Sequence, residues 1–381
     1  MVLRVFAVAD AQGGWQVLPG GLARLGTREG IASMQRGGSS ADVWAQSPTP
    51  DTAQSQSQSQ TQSSSPSPTS PPPALQAQAE PIPDATSLQR QRLVTSRAAE
   101  NLFWMGRYTE RTENTLRLVR LSLEILSSEN QNLPGLLQFI TRMATRHGLV
   151  RAGVPAASQA HRVFERSLIA GLWDKELATS VGFNLRAVRL AAASVRERLS
   201  PEHWRLLEQA ESRFFSPEHQ SAAPDTLAVQ RLLADTSQML AALTGAQTDR
   251  MSRDDGWRLL SIGRHIERLE FLSSALCEAV QLGLIGEQAG FDAVLDLFDS
   301  TISFHAQYQQ SRTPQALMDL LVTHSDNPRS LGWVAHTLRS RLRRMGHLAD
   351  GATVPLADRV PHLIELTPES LWPSDAQFNP N

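Results

Sequence analysis

The sequence has little that would commit it to metal, redox or nucleotide chemistry. Cys277 is the only cysteine in 381 residues, so an intrachain disulfide and a cysteine-built metal site are both excluded. Lys175 is the only lysine among 36 Lys+Arg, and no GxxxxGK[ST] phosphate loop occurs. Neither HExxH nor ExxH, the helical mark of di-iron bundles, is present. His161, His265, His305 and His347 are scattered, so no metal is expected. Formal net charge is only −2, which implies no general pull toward nucleic acid or an anionic membrane. No apolar run approaches the ~18 residues of a spanning helix. The opening MVLRVFAVADAQGG has one arginine and an apolar run too short for a secretory signal, so a cytoplasmic protein is the default expectation.

What is present falls into four stretches. Residues 1–46 read as short strands and turns, LRVFAVA and WQVLP around Asp10-Ala11-Gln12-Gly13-Gly14, with too little apolar surface to stand alone. Residues 47–87 are almost entirely Ser, Gln, Pro, Thr and Ala and read as a disordered linker. Residues 88–351 are helical text, with roughly eight to ten helices expected. Ser200-Pro201-Glu202, Asp225, Asp254 or Asp255, and Asn327-Pro328-Arg329-Ser330 are candidate helix starts. Residues 352–381, with five prolines, are expected to be irregular. Cys277 reads as core, and Lys175 as solvated.

The most informative stretch is Ser96 to Val119, SRAAENLFWMGRYTERTENTLRLV. At 100° per residue, Leu102, Met105, Thr109, Thr112, Leu116 and Val119 share one arc, a core-facing stripe. The opposite arc interleaves Glu100, Arg107, Glu110, Arg111 and Asn114 with Phe103, Trp104 and Leu118. A solvated face has little use for those apolar residues. The helix is therefore expected to be covered on both sides, with paired Arg and Glu in a partly buried strip. Arginine suits bidentate pairing with carboxylates, although a GC-rich coding bias would give the same Arg-for-Lys skew.

The strip recurs. Gly106-Arg107-x-x-Glu110-Arg111-x-Glu113 returns 157 residues later as Gly263-Arg264-x-x-Glu267-Arg268-x-Glu270. Ser180-Val181-Gly182-Phe183 returns 150 residues later as Ser330-Leu331-Gly332-Trp333. Trp257 replaces Glu100 and Phe271 replaces Asn114, so the copies are not equivalent. The expected fold class is all-α: a duplicated helical bundle with a pseudo-two-fold repeat, plus a short N-terminal β-rich fragment and a linker. The two motif helices are expected to face one another, Arg107, Glu110 and Arg111 against Arg264, Glu267 and Arg268.

These residues resemble the alpha-E family, an all-helical bacterial domain with a recurring Glu-Arg motif. The likeness covers roughly residues 92–350, including VRERLSPEHW, RDDGWRLLSIGRHIERLE and DNPRSLGW. It implies association with circularly permuted ATP-grasp proteins that form amide bonds in peptide or amino-acid conjugates. Residues 1–46 are similar to the C-terminal end of those ATP-grasp proteins, through WQVLPGGLARLG and SMQRGGSSADVWA. Ala41 stands where that family usually has lysine, and the nucleotide-binding body is missing, so the chain looks like a truncated fusion. No cofactor is expected, and ligation by this chain alone is not. Arg24, Gln35 and Gly37 match ligase positions but have no nucleotide site beside them.

Two functional readings follow. In the first, the chain is an accessory module that binds a substrate or partner of an ATP-grasp amide ligase, with the Arg/Glu strip fixing how the repeats dock. In the alternative it is an acyl- or amide-transfer enzyme, with arginines clamping a peptide or small carboxylate and Glu110 or Glu267 as general acid/base. A vestigial product of a broken fusion gene is the third possibility. Substrate, product and oligomeric state are not legible.

Overall fold

The structure is a computed structural model that describes residues 2–9, 15–25, 39–44, 94–127, 133–219, 225–309, 311–346 and 356–372. The linker reading of 47–87, His347, and Gln35 and Gly37 lie outside the described residues. The chain divides into two compact units, Met1–Thr95 and Ser96–Asn381. In the first, β1 (Val2–Ala9), β2 (Trp15–Leu25) and β3 (Ser39–Trp44) form an antiparallel sheet in the order β1-β2-β3. Its register shifts between Val5 and Ala7, opposite the part of β2 that contains Pro19. A proline in a central strand has no N–H for the ladder, so an irregularity there is the expected accommodation.

The second unit is helical throughout its regular elements. Its centre is a pair of long helices, α1 (Ser96–Ser127) and α7 (Asp255–Gln281). Between them come α2 (Pro134–Arg146), α3 (His161–Ala170), α4 (Val181–Ala193), α5 (Pro201–Phe214) and α6 (Thr226–Asp249). After them come α8 (Gln288–Leu297), α9 (Thr301–Tyr308), α10 (Pro314–Met318), α11 (Leu331–Gly346) and α12 (Pro368–Leu371). Helix α4 packs on α1, α11 packs on α7, and α5 and α6 close the remaining side of the first half. Short helical turns at Leu356–Arg359 and Leu363–Glu365 lie in the stretch expected to be irregular, and Arg339 of α11 donates to the Val360 carbonyl there. Among the described residues no helix is long and apolar enough to cross a membrane.

The sequence explains these elements locally. The α1 stripe Leu102, Met105, Thr109, Thr112, Leu116 and Val119 has no solvent exposure. Its threonines are tolerated inside because each hydroxyl donates to the carbonyl four residues back, Thr109 to Met105 at 2.8 Å and Thr112 to Tyr108 at 2.7 Å. The expected caps form. Ser200 accepts from His203 N ahead of Pro201, Asp254 from Trp257 N and Ser330 from Trp333 N. Asp225 accepts from Leu227 N and opens a helix that runs past Leu240 to Asp249. Lys175 is exposed. Cys277 corrects the reading: it is exposed, not core, because the buried faces of α7 around it are supplied by Ala275, Leu276 and Ala279.

Where α1 and α7 cross, two glycines set the distance. A Cβ on Gly106 would lie 2.1 Å from the Leu260 carbonyl oxygen, and one on Gly263 would lie 2.2 Å from the Phe103 carbonyl oxygen. Phe103 and Leu260 are themselves 157 residues apart, so each helix meets the other at the same step. Both obstacles are backbone, which cannot rotate away. Gly106→Ala and Gly263→Ala are each expected to destabilise by about 1–3 kcal/mol or more. Gly245→Ala is the control, since nothing lies within 4 Å of the added methyl; it should stabilise by roughly 0.5–1 kcal/mol. Urea unfolding midpoints of the three variants check the contrast.

Candidate functional site

The close crossing places each motif glutamate among the arginines of the opposite helix. Arg268 grips Glu110 with two bonds, Nε to Oε1 at 2.6 Å and Nη2 to Oε2 at 2.8 Å. Arg264 Nε comes within 3.4 Å of Glu110 Oε2. Reciprocally, Arg107 Nε donates to Glu267 Oε1 at 2.6 Å, and Arg111 donates to the same carboxylate through Nη2 and Nε. All six strip residues predicted from the sequence are thus brought together, as two carboxylates with two arginines each.

The two halves are built alike and finished differently. Glu110 is wholly buried, and its arginines Arg264 and Arg268 are at most 9 % exposed. A third arginine, Arg329, closes over it, 3.4 Å from Glu110, 3.6 Å from Glu113 and 3.9 Å from Asp299. Burial alone would raise the Glu110 pKa; the charge and paired hydrogen bonds of Arg268, with Arg329 and Arg264, outweigh it and hold the carboxyl well below the usual carboxylate range. Burial among like charges pushes Arg329 down to about 9, which leaves it charged at neutral pH. Thr244 and Gln247 complete the sealed side, each accepting from Arg264 Nη2 at 2.8 Å.

Around Glu267 the arginines Arg107 and Arg111 keep 27 % of their side-chain surface, and a cavity of about 240 Å³ opens. Arg107, Arg111, Arg146, Glu267 and Glu270 supply its charge, and Asn114, His147 and Thr179 line it with them. The reason it is open can be read from the matching loops. Ser180 Oγ donates to the Asp174 carbonyl and accepts from Phe183 N; Ser330 Oγ donates to the His324 carbonyl and accepts from Trp333 N. Asp174 Oδ1 accepts from the N–H groups two and three residues on, and His324 Nδ1 does the same. The residue before each serine is Thr179 in one loop and Arg329 in the other. Similarly, α2 and α8 each end on a residue with positive φ, Gly148 at 62° and Asp299 at 53°, followed by the same N–H to carbonyl closure. Arg329, with Asp299 3.9 Å from it, therefore fills beside Glu110 the place that Thr179 and Gly148, bonded at 2.8 Å, leave vacant beside Glu267.

The cavity wall carries unspent polar capacity. Asn114 is 3 % exposed, yet its Oδ1 has no hydrogen-bond partner. His147 Nε2 is buried and likewise unpaired, and burial, followed by opposing effects of Glu270 and Arg146, lowers the pKa of that ring. On the sealed side, burial and then Arg268 push His265 down to about 3, and its Nδ1 sits 2.6 Å from the Ser261 carbonyl. Among the described residues, no group of three or more His, Cys, Asp or Glu is placed to hold a metal. Sequence reasoning missed Arg329, Arg146, His147 and Thr179. Arg329 and Thr179 were within reach, because each immediately precedes the repeated Ser-x-Gly-aromatic segment.

The family model described as "A predicted alpha-helical domain with a conserved ER motif", Alpha-E, matches residues 94–368. Uncharacterized protein Rv2567 of Mycobacterium tuberculosis and Uncharacterized protein Mb2597 of Mycobacterium bovis are each 27 % identical over 285 residues. The match covers 68 % of this chain and 31 % of either relative, so the chain spans about a third of the length of the curated relatives it matches. No solved structure matches.

Glu110→Gln leaves three buried arginines short of a counter-charge and is expected to cost about 3–5 kcal/mol. Glu267→Gln should cost less, about 1–3 kcal/mol, because Arg107 and Arg111 can take up water. Chemical denaturation of both variants tests the order. Stability should also fall with acid from about pH 6.5. His265 and His203, depressed by burial to about 3 and about 4, stay neutral in the fold while the unfolded chain binds protons at 6.5. Each contributes a slope of about 1.4 kcal/mol per pH unit between those values. Below 4.5 the unfolded chain also protonates Glu110 while the fold keeps it ionised, which adds to the same trend. Urea unfolding at a series of pH values between 8 and 4 measures it.

Proposed function

We propose that the chain, which belongs to the Alpha-E family, is a non-catalytic binding module serving an ATP-grasp amide ligase, and that it presents a small ligand or partner group at the cavity beside Glu267. One observation carries this reading: of two similarly built carboxylate–arginine clusters, one is sealed by Arg329 and the other is left open with partly exposed arginines on a cavity. A purely structural strip has no need of that difference. The two motif helices are proposed to descend from one duplicated unit. The returned contacts of Gly106 with Leu260 and Gly263 with Phe103 support that origin, as do the twin serine caps. The partner is proposed from the likeness of residues 1–46 and 92–350 to the ATP-grasp end and its associated domain.

The second reading, an acyl- or amide-transfer enzyme, loses Glu110 as a general acid/base. That carboxyl is dry, fully paired and held as the anion. It keeps Glu267 and Glu270, which line the cavity with His147. The readings separate in one assay. Amide product is measured with the cognate ligase alone, with the full chain added, and with Thr179→Arg, which supplies the plug found in the other half. The module reading expects product to depend on the chain and Thr179→Arg to remove that dependence while the chain remains folded by circular dichroism. A ligase that ignores the chain and forms no complex with it sinks the module reading. Turnover by the chain without ligase would establish the enzyme.

A further inference from the structure

The cavity beside Glu267 says more about its ligand than that it is small. Glu267 is already neutralised, because Arg107 and Arg111 both donate to it, and the two arginines leave one positive charge in excess on that wall. The two other charged residues of the lining are Arg146 and Glu270. Both are exposed, at α2 and α7, and neither has an ion-pair partner among the described residues; the hydrogen bond to the Glu270 carboxylate is a long 3.5 Å contact from Ser274. One unpaired cation and one unpaired anion thus line a single opening, with the unpaired Asn114 Oδ1 behind them. A simple anion would satisfy Arg146 and be repelled by Glu270. A simple amine would meet the reverse.

The geometry points to a small zwitterion of the amino-acid or dipeptide class, its carboxylate toward Arg146 and its ammonium toward Glu270 and Asn114. Arginine pairs with a carboxylate through a planar two-donor fork, and a carboxylate or amide oxygen accepts from an ammonium. The volume agrees: about 240 Å³ is far more than one water needs and below the ~300–1,000 Å³ of drug-sized pockets. The sealed half cannot take the same ligand, because Arg329 occupies the space and already pairs with Glu110 and Glu113. This inference rests on reading the cavity as a ligand site. It adds the ligand's class and the residues that select it.

Isothermal titration of the full chain with L-alanine, L-alanyl-L-alanine, N-acetyl-L-alanine and L-alaninamide tests it. The first two are expected to bind, and each blocked derivative to bind at least tenfold more weakly than L-alanine. Arg146→Gln and Glu270→Gln should each weaken binding at least tenfold without a change in melting, since both side chains are exposed. Thr179→Arg should abolish it. N-acetyl-L-alanine binding as well as L-alanine would overturn the zwitterion and leave an anion site, with the module reading intact. No heat from any of the four at millimolar concentration overturns the assignment outright. Retained L-alanine binding by a chain that its ligase ignores would instead remove the partner and leave this inference standing.

Discussion

The helical unit depends on a close crossing of two long helices at which each carries a buried glutamate into the arginines of the other. Gly106 and Gly263 permit it, since any side chain there would strike a carbonyl oxygen of the facing helix. Backbones in contact bring Arg268 to Glu110 and Arg107 to Glu267 at 2.6 Å. The two effects need each other. Buried charges that lose their partners are costly, and a pair of glycines in long helices is unfavourable unless packing uses the space.

Such ion pairs are poor sources of net stability, because desolvation offsets much of the attraction. What they give this protein is register: α1 and α7 cannot slide by a turn without stranding six charges. Stability itself comes from the apolar faces, with Leu102, Met105, Leu116, Phe139, Phe164 and Phe298 among the fully enclosed side chains. A scaffold fixed by one sealed cluster is free to vary the other. Thr179 and Gly148 in place of Arg329 and Asp299 are a small change in sequence that turns a filled network into an opening.

Much of this was legible beforehand, for identifiable reasons. Helical periodicity separated the two faces of α1, and the charged arc interrupted by Phe103, Trp104 and Leu118 signalled cover on both sides. The repeated Gly-Arg-x-x-Glu-Arg text indicated that Arg107, Glu110 and Arg111 would meet Arg264, Glu267 and Arg268; which arginine pairs with which glutamate came from the crossing itself. Cys277 was misjudged because apolar neighbours on α7 reach the core in other directions, so a local apolar sequence did not fix its own exposure. Arg146 and His147 gave no signal: they lie at the end of α2, more than a hundred residues from Glu267, with no motif of their own.

Local periodicity and a pattern repeated at fixed spacing are enough to give the helical class of the second unit, the caps, the buried stripe and the six charges that would meet. That one cluster is closed and the other open emerges first from packing in three dimensions. That difference depends on which side chains arrive from loops distant in sequence, Arg329 in one case and Thr179 in the other, and on the volume they fill. Chain pattern encodes which faces are buried; the space left between them is a property of three-dimensional packing.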